Sequence, residues 1–409
     1  MQYSFASRAQ TLLSSPLRNI RELAKRDSFI SLAEELPAEE LFPMHSLAEA
    51  ATSVLTADPE ALQYGEAEGY RPLREWLSRD LAKRKGLSVQ PGNILLTTGT
   101  QQAIDLLVRV YVEPGDAVLV ENPTSPGLLQ VLRLQGAEIV PVPGDSSGML
   151  PDRLAPLIRK HQPKLLMAAP NFTNPTGVMW SLERRAQVLE LCVQHGLLIV
   201  EDDSYGDLYF GSAGGPDRKK REHRLPSLFS LEEKQGGHVL YVGSFSKTVA
   251  PALRTGWAAG SPQVIEMMTA VKQMADWQSS MLNQRMLHHL LESNHFKLED
   301  HIDMLNREYA TRLKLMVELL KRSAWKDAKY EVPPGGMFLW VELPPGLNGD
   351  ALLRAALLKG AAFLPGSMCS AGGENAECIR LNFTHPGRDE LLLGMNLISE
   401  AVMEFTARN

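Results

Sequence analysis

The sequence Gly243-Ser244-Phe245-Ser246-Lys247 decides the fold of this chain, and it follows the apolar run Val239-Leu240-Tyr241-Val242. The apolar run predicts a short buried strand. A lysine directly after such a strand places an amine where the carboxyl end of the strand opens to ligands. An amine held out of bulk water loses proton affinity and becomes a nucleophile that forms a Schiff base with an aldehyde.

A single lysine after a strand is more often an ordinary surface residue, so this interpretation depends on the surrounding sequence. Ser244, Ser246 and Arg254 supply hydroxyl donors and a guanidinium group within the same stretch. These groups are the ones that would hold a phosphate beside the amine of Lys247.

Length and composition indicate a two-domain globular protein. The chain has 409 residues, 44% of them hydrophobic and 22% charged, with a net charge of −6. This mild charge argues against nucleic acid or an anionic membrane as a partner. The three scattered cysteines (Cys192, Cys369 and Cys378) suggest neither a disulfide framework nor a zinc site. With no signal peptide and no apolar run of about twenty residues, we expect a cytoplasmic protein.

Strands and helices alternate along most of the chain, which predicts an α/β fold with a mostly parallel sheet between helices. The predicted strands of this sheet are 94–97, 118–121, 138–142, 165–168, 197–200 and 239–242. Helix 70–85 is predicted before the first of these strands, and helices 102–112, 127–135, 154–161 and 182–195 are predicted between the later ones.

The remaining segments predict a smaller α/β domain. Two long helices, 266–291 and 298–320, leave the sheet, and strands 337–342 and 379–383 follow with helices 351–358 and from 389 onward. The sequence around 17–25 predicts a short amphipathic helix. We therefore predict an N-terminal segment (1–57) that joins the small domain, a large cofactor-binding domain (58–295) and a small C-terminal domain (296–409).

Polar, turn-forming sequences follow several of the predicted strands, where a parallel sheet binds its ligands. The first, Thr98-Gly99-Thr100-Gln101, precedes a helix, and its backbone N–H groups suit a phosphate. The others are Asn171–Gly177, which offers an amide, and Glu201–Tyr205, which offers carboxylates and a phenol. With Lys247, these groups are the ones that pyridoxal phosphate requires.

The whole set of motifs resembles the fold-type I, class I/II aminotransferases that use pyridoxal phosphate. The similarity runs from about residue 15 to the end, and it is greatest to the 2-aminoadipate aminotransferase (LysN-like) branch, which is related to the effector domain of MocR-type regulators. The motifs, in order, are Ala61-Leu62-Gln63-Tyr64-Gly65, Thr98–Gln102, Asn174-Pro175-Thr176-Gly177, Glu201–Tyr205, Ser244–Lys247, Pro334–Phe338 and Arg380-Leu381-Asn382-Phe383.

The resemblance implies a role for each matching residue. Lys247 would carry the cofactor as a Schiff base and later move the proton, and Asp202 would pair with the pyridine nitrogen. Asn174 and Tyr205 would contact the ring oxygen. The phosphate would be held by Thr100, Gln101, Ser244, Ser246 and Arg254, with Tyr64 reaching it from a partner subunit.

Two arginines are expected to bind substrate. Arg380 would bind the α-carboxylate, with Asn174 beside it, and Arg21 is a candidate for binding a distal carboxylate. We therefore predict a homodimeric aminotransferase that moves an amino group between an α-amino acid and a 2-oxo acid by a ping-pong mechanism. Two alternatives stay open: elimination, decarboxylation or oxidative chemistry on the same cofactor, and a non-catalytic ligand sensor.

Two departures from the family pattern motivate those alternatives. The family usually has two glycines where this chain has Glu34 and Glu35, whose charge would repel an acidic substrate if it faced the pocket. Ser125 replaces the tyrosine that normally stacks on the pyridine ring. Both changes bear on the substrate and the type of reaction, and the cofactor chemistry does not depend on them.

Other sequence patterns give weaker evidence for a different catalytic site. Gly144-Asp145-Ser146-Ser147-Gly148 matches a serine-hydrolase motif, but no helix follows it directly, and we expect an ordinary turn. Four histidines in a predicted helical region lack the spacing of metal ligands, so a metal site is not expected; they are His288, His289, His295 and His301.

Overall fold

The computed structural model describes residues 3–6, 8, 29–211, 225–232 and 237–406. Its strands are β1 (Ile30–Ser31), β2 (Ile94–Thr97), β3 (Ala117–Asn122), β4 (Glu138–Asp145), β5 (Gly148–Met149), β6 (Leu165–Ala168), β7 (Leu198–Asp202), β8 (Val239–Ser244), β9 (Gly256–Ala259), β10 (Lys329–Tyr330), β11 (Phe338–Glu342), β12 (Ala361–Ala362), β13 (Leu364–Pro365) and β14 (Cys378–Asn382).

The described residues form twelve α-helices, of which α7 is a single short turn. They are α1 (Met44–Ala57), α2 (Arg71–Lys85), α3 (Thr100–Tyr111), α4 (Pro126–Gln135), α5 (Pro151–His161), α6 (Leu182–Gln194), α7 (Leu228–Leu231), α8 (Pro262–Asp276), α9 (Met281–Glu292), α10 (Leu298–Leu320), α11 (Gly349–Lys359) and α12 (Arg388–Thr406).

An eight-stranded sheet forms the centre of the molecule, with the strand order β2-β9-β8-β7-β6-β3-β4-β5. The five strands from β8 to β4 in this order are mutually parallel, and β9, β2 and β5 are antiparallel to their neighbours. Strand β8 is buried along its whole length, as expected for a parallel strand covered on both faces. The predicted α/β fold with a mostly parallel sheet is confirmed.

The antiparallel strand β9 is missing from the sequence prediction. It pairs with both β2 and β8, and Gly256 lies opposite Thr97 and Ser244. A Cβ added to Gly256 would come within 2.8 Å of the carbonyl carbon of Gly99. Because Gly256 has no side chain, β9 and the segment at Gly99 can approach each other closely. The glycine also interrupts the apolar run, so the apolar pattern does not predict this strand.

A smaller sheet forms from the C-terminal strands in the order β10-β11-β14-β13. The N-terminal strand β1 does not belong to it and pairs in parallel with β12, with Ile30 opposite Ala361. Leu32 shares a hydrophobic cluster with the C-terminal strands, whereas Ala50 of α1 belongs to the cluster under the large sheet. The predicted domain limits, 1–57, 58–295 and 296–409, stay a prediction.

The predicted long helix 266–291 is wrong, because the structure contains two helices there, α8 and α9. Trp277 ends α8 with a positive φ of 66°, a conformation that helices do not contain. Ser280 then caps α9, its side chain accepting a hydrogen bond from Asn283 N. The sequence Ser279-Ser280 carried this helix-start signal, but the apolar periodicity on both sides concealed it.

The remaining predictions on local structure have mixed outcomes. The Gly144–Gly148 sequence forms the turn between antiparallel strands β4 and β5, so the prediction of an ordinary turn is confirmed. The amphipathic helix expected around 17–25 lies outside the described residues. Among the residues that the structure describes, no helix has the length and apolar content needed to cross a membrane.

Glu121, near the end of β3, is a buried carboxylate that joins three parts of the fold. It accepts hydrogen bonds from Ala169 N at 2.8 Å, from Trp180 Nε1 at 2.9 Å and from Thr173 Oγ1 at 3.2 Å. Burial is the largest influence and raises the pKa of Glu121 to about 7; the charge of Asp202 also raises it, and the three hydrogen bonds oppose the rise.

We predict that Glu121 makes the folded state less stable as the pH rises from about 4.5 to about 7. The folded carboxyl group keeps its proton in this interval while the unfolded one loses it, so stability falls with rising pH and then levels off. Glu121→Gln should remove this decline, which amounts to about 3 kcal/mol. Chemical unfolding of the cofactor-free protein at pH 5, 6, 7 and 8 measures it.

Glu113→Gln is the matched control, because Glu113 is an exposed acid that follows α3. This variant should keep the pH dependence of the unmodified protein. If Glu121→Gln shows the same decline with pH as Glu113→Gln, the buried carboxylate is not its source.

Candidate active site

A cavity of about 410 Å³ opens at the carboxyl ends of β3, β6, β7 and β8. Residues 33–36, which follow β1, and Arg380 of β14 also line it. The cavity therefore lies between the large sheet and the C-terminal sheet. Ten of the predicted site residues line this cavity: Thr100, Gln101, Asn174, Asp202, Tyr205, Ser244, Ser246, Lys247, Arg254 and Arg380.

Lys247 is presented by a tight turn after β8. The backbone N–H groups of Thr248 and Val249 both donate to the carbonyl of Phe245, at 3.2 and 2.8 Å. The buried ring of Phe245 packs on Trp257, with 5.0 Å between ring centroids. This apolar anchor fixes the turn, and the turn points the lysine amine into the cavity.

The environment of Lys247 favours its neutral, nucleophilic form. Burial is the largest influence and lowers the pKa of Lys247; the charge of Glu35 opposes this, and the charges of Arg380 and Arg254 add to it. The net effect is a lowered pKa. The lysine Nζ donates a hydrogen bond to the backbone carbonyl of Glu35.

Helix α3 brings its N-terminus to one end of the cavity. Gly99 caps the helix with a φ of 84°, and a Cβ there would lie 2.6 Å from Nη2 of Arg254. Arg254 Nη2 donates to the carbonyl of Thr98 at 2.7 Å, which holds the guanidinium beside the helix start. Only glycine combines this backbone angle with this close approach.

Hydroxyl groups surround the same end of the cavity. Ser244 Oγ donates to Ser246 Oγ at 2.9 Å, and Ser204 Oγ lies 3.5 Å from Thr100 Oγ1. With the guanidinium of Arg254 and the free N–H groups of the helix start, these hydroxyls form a cluster of hydrogen-bond donors. Such a cluster binds a phosphate-like anion.

Asp202 ends β7 on the floor of the cavity. It accepts hydrogen bonds from the backbone N–H of Ser204 at 3.0 Å and from its hydroxyl at 2.5 Å. Burial is the largest influence and raises the pKa of Asp202 above its ordinary value, with the charges of Asp203 and Glu35 adding to it. A partly buried carboxylate of this kind is stabilised by a cation, such as a protonated ring nitrogen.

Asn174 and Tyr205 form the side of the cavity near the lysine. Asn174 Nδ2 lies 3.3 Å from the Tyr205 hydroxyl oxygen. Burial raises the pKa of Tyr205 well above its ordinary value, and the charges of Glu35 and Asp202 raise it further. The phenol therefore keeps its proton and acts as a hydrogen-bond donor at neutral pH.

Arg380 joins the C-terminal sheet to this side of the cavity. Its side chain is 1% exposed, with Nη1 2.7 Å from Asn174 Oδ1 and Nη2 donating to the carbonyl of Ala33 at 2.5 Å. The guanidinium lies 4.1 Å from the ring centroid of Phe338. Its Nε has no hydrogen-bond partner in the structure, which is unusual for a buried donor.

Glu35 enters the cavity, which answers the question that the sequence left open. Its Oε1 accepts hydrogen bonds from Arg380 Nη1 at 2.9 Å and from Asn174 Nδ2 at 2.7 Å. Glu34 lines the same cavity. Of the two residues that replace the family glycines, both line the cavity, and Glu35 places its carboxylate there.

Of the two remaining predicted residues, one lies outside the cavity of this chain and the other lies outside the described residues. Tyr64 is 78% exposed and packs on Trp277, with 6.5 Å between ring centroids, and it does not line the cavity. Arg21 lies outside the described residues. The predicted roles of both stay predictions.

Ser125 lines the cavity at the start of α4, where the family has its stacking tyrosine. Among the described residues that line the cavity, Tyr205 is the only aromatic side chain. The hydroxyl of Tyr205 already belongs to the hydrogen-bonded group around Asn174. No second aromatic ring from the described part of the chain takes the place of the missing tyrosine.

Glu121 is a cavity residue that the sequence reasoning missed. It lies near the end of a parallel strand, β3, much as Asp202 lies at the end of β7. The rule that ligands bind at strand carboxyl ends could have found it. Attention to the polar segment around Ser125, which follows β3 directly, led the sequence interpretation to overlook Glu121.

The cavity fits a group with an anionic end, an aldehyde and a basic ring nitrogen. Gly99 and the hydrogen-bond donors around it suit the anion, and Lys247 suits the aldehyde. The partly buried carboxylate of Asp202 suits the ring nitrogen. These complementary groups are distributed around a single cavity. The fold and this site define a pyridoxal-phosphate-dependent enzyme.

Comparison with known proteins identifies the family. Residues 29–392 match the aminotransferase class I and II family. The 2-aminoadipate transaminase of Thermus thermophilus is 36% identical over 401 residues, which cover 98% of this chain and 96% of that protein. Aromatic-amino-acid aminotransferase 1 of Thermococcus litoralis is 33% identical over 98% of this chain and 94% of its own length.

A solved structure has the same fold. The crystal structure of LysN, an α-aminoadipate aminotransferase from Thermus thermophilus complexed with N-(5'-phosphopyridoxyl)-L-leucine, has a TM-score of 0.89 and 37% identity. The match covers 99% of this chain and 98% of that one. The chain belongs to the aminotransferase class I and II family, in its LysN-like branch.

The protein is a pyridoxal-phosphate-dependent aminotransferase that acts on amino acids and 2-oxo acids. The comparisons give no support to a different reaction type or to a non-catalytic sensor.

We predict that Gly99→Ala weakens the binding of pyridoxal phosphate by about tenfold or more. The added methyl group would lie 2.6 Å from Arg254 Nη2 and would adopt a left-handed backbone angle, which together cost about 1–3 kcal/mol. Equilibrium dialysis of the cofactor against the cofactor-free protein measures the dissociation constant.

Gly86→Ala is the control that separates the strain of the left-handed backbone angle from the steric clash with Arg254. Gly86 has a φ of 69° but has no atom within 4 Å of the added Cβ. This control should therefore lower stability without changing cofactor affinity. Equal cofactor affinities of the Gly99 variant and the unmodified protein would contradict the role given to the helix start.

Proposed function

We propose that the cavity holds pyridoxal phosphate through Lys247 and that the residues predicted from the sequence carry the reaction. The observation that supports this most is the lysine amine with a lowered pKa in the same cavity as Asp202 and the donor cluster. Thr100, Gln101, Ser244, Ser246 and Arg254 would bind the phosphate.

The cofactor, when bound, supplies an electron-withdrawing ring that accepts the electron pair left on the substrate Cα. Asp202 would keep the ring nitrogen protonated. The protonated phenol of Tyr205 and the amide of Asn174 would donate hydrogen bonds to the ring oxygen. These contacts orient the ring against the lysine.

Lys247 would act as the general base. Once its Nζ is free, the lowered pKa of Lys247 would favour the neutral amine, which would accept the Cα proton. The same nitrogen would then return the proton to the adjacent carbon of the cofactor. The second substrate, a 2-oxo acid, would go through these proton transfers in reverse.

The substrate carboxylate would bind Arg380 beside Asn174. For the side chain of the amino acid, the described part of the cavity offers apolar groups from Leu36, Ile104 and Val131. The carboxylate of Glu35 in the same cavity disfavours an acidic side chain there. We therefore expect a neutral, apolar amino acid to be the better substrate.

A panel of leucine, phenylalanine and 2-aminoadipate tests this preference through kcat/KM. The sequence also nominates Arg21 for a distal carboxylate. A preference for 2-aminoadipate that disappears in Arg21→Ala would contradict the neutral-substrate proposal and support that role of Arg21.

The protein would be a homodimer in the cytoplasm. The exposed pair of Tyr64 and Trp277, with Leu62 and Met274 also exposed, gives an apolar surface that a second copy would cover. Tyr64 could then reach the phosphate of the partner's site. Sedimentation equilibrium at micromolar concentration tests the dimer.

The three cysteines are free and buried, which suits a reducing compartment.

We predict that Lys247→Ala abolishes both the visible absorbance of the bound cofactor and the transaminase activity. The alanine has no amine to attach the cofactor, whereas the turn keeps its anchor, Phe245, so the fold should persist. Absorbance spectra after cofactor is added and gel filtration measure the result. Lys326→Ala is the control, because Lys326 is exposed and far along the chain.

Retention of the lysine-type absorbance in Lys247→Ala would show that another amine holds the cofactor. An unchanged spectrum is expected only for the control. Loss of the folded state in the lysine variant alone would assign Lys247 a structural role instead.

A further inference from the structure

Glu35 already occupies the position that a substrate carboxylate needs. One carboxylate oxygen, Oε1, accepts hydrogen bonds from both Arg380 Nη1 and Asn174 Nδ2, at 2.9 and 2.7 Å. Tyr205 also lies within 3.4 Å of the other oxygen, Oε2. The chain therefore places one of its own carboxylates on the groups that are proposed to bind the substrate.

The backbone around Glu35 is held from several sides. Arg380 Nη2 binds the carbonyl of Ala33, and Asn382 Nδ2 donates to the carbonyls of Glu34 at 2.7 Å and Leu36 at 3.0 Å. Because the backbone is fixed on both sides of position 35, the Glu35 carboxylate can leave Arg380 only by a rotation of its side chain. That side chain is 37% exposed, so the cavity leaves room for the movement.

Glu35 is an anion over the whole working range of pH. Burial is the largest influence and would raise its pKa, but the charges of Arg380 and Lys247 and the hydrogen bonds from Asn174 and Arg380 outweigh it. The pKa of Glu35 is lowered to about 2. Its charge therefore competes with that of any carboxylate ligand.

The contact between Glu35 and Arg380 is incomplete. Only Nη1 of the guanidinium binds Glu35, and Nε, although buried, has no partner. A guanidinium binds a carboxylate most strongly through two parallel hydrogen bonds. Glu35 instead accepts from one terminal nitrogen alone, because Nη2 donates to the carbonyl of Ala33. Its carboxylate is therefore bound less strongly than a two-bonded carboxylate would be, and it can be displaced.

We infer that Glu35 is a specificity-determining residue that competes with the substrate carboxylate for Arg380 and Asn174. A carboxylate ligand must first displace the side chain of Glu35, so every carboxylate binds more weakly than the arginine alone would allow. Substrates with further contacts in the cavity overcome this competition, and small acids do not. The inference rests on the proposed role of Arg380 as the carboxylate-binding residue.

The test is the affinity of the cofactor-loaded enzyme for 4-methylpentanoate, a carboxylate that lacks the reacting amine. Isothermal titration calorimetry should show that Glu35→Gln binds it about tenfold to a hundredfold more tightly, the loss of one charged competitor. Glu35→Ala should bind at least as tightly as Glu35→Gln. Glu39→Gln, an exposed acid four residues on, should leave the affinity unchanged.

Unchanged or weaker binding in both Glu35 variants would overturn the inference, since weaker binding would mean that Glu35 supports Arg380 instead of competing with it. A crystal structure of the unmodified enzyme with 4-methylpentanoate gives a second readout. The Glu35 carboxylate should have left Arg380, and simultaneous binding of both carboxylates to Nη1 would also overturn the inference.

Arg380→Ala distinguishes failure of this inference from failure of the proposed function. If Arg380→Ala weakens binding and the Glu35 variants do not tighten it, only the competition is wrong. If Arg380→Ala leaves the affinity for 4-methylpentanoate unchanged, the carboxylate site itself is misassigned and both proposals fail.

Discussion

The parallel alignment of five strands is the constraint on which the rest of the structure depends. Strands β3, β6, β7 and β8 end at one edge of the sheet because they run in the same direction. Residues far apart in the sequence, such as Glu121, Asp202 and Ser244, therefore line the same cavity. The C-terminal sheet adds Arg380 from the opposite side and completes a site that neither sheet contains alone.

Two carboxyl groups that line this cavity have opposite pKa shifts, because their immediate surroundings differ. The carboxyl group of Glu35 has its pKa lowered to about 2 beside Arg380, whereas burial raises the pKa of Glu121 to about 7. Burial disfavours the charged form of both carboxyl groups. At Glu35 the positive charges of Arg380 and Lys247 outweigh this effect, whereas at Glu121 burial determines the direction of the pKa shift. The cavity therefore holds a permanent anion near the lysine and a proton-binding acid behind the loop at Thr173.

The sequence predicted well what depends on local patterns. Apolar runs predicted the parallel strands. The motifs that follow them, together with the motif that contains Arg380, predicted ten of the residues that line the cavity, including Lys247 and Asp202. It failed where non-local packing decides: the antiparallel strand β9 contains glycine and alanine, and the helix break at Trp277 interrupts a continuous periodicity. The position of the Glu35 side chain depends on Arg380, 345 residues away, and no local pattern reports such a contact.

The pairing of β1 with β12 has a consequence for the order of synthesis. Ile30 has its partner at Ala361, so the N-terminal segment has no strand to join until most of the chain has left the ribosome. The strands from β2 to β9 lie between residues 94 and 259, and their sheet can assemble much earlier. We therefore expect the cavity walls formed by residues 33–36 and by Arg380 to be completed last, after the strand ends that contain Asp202 and Ser244.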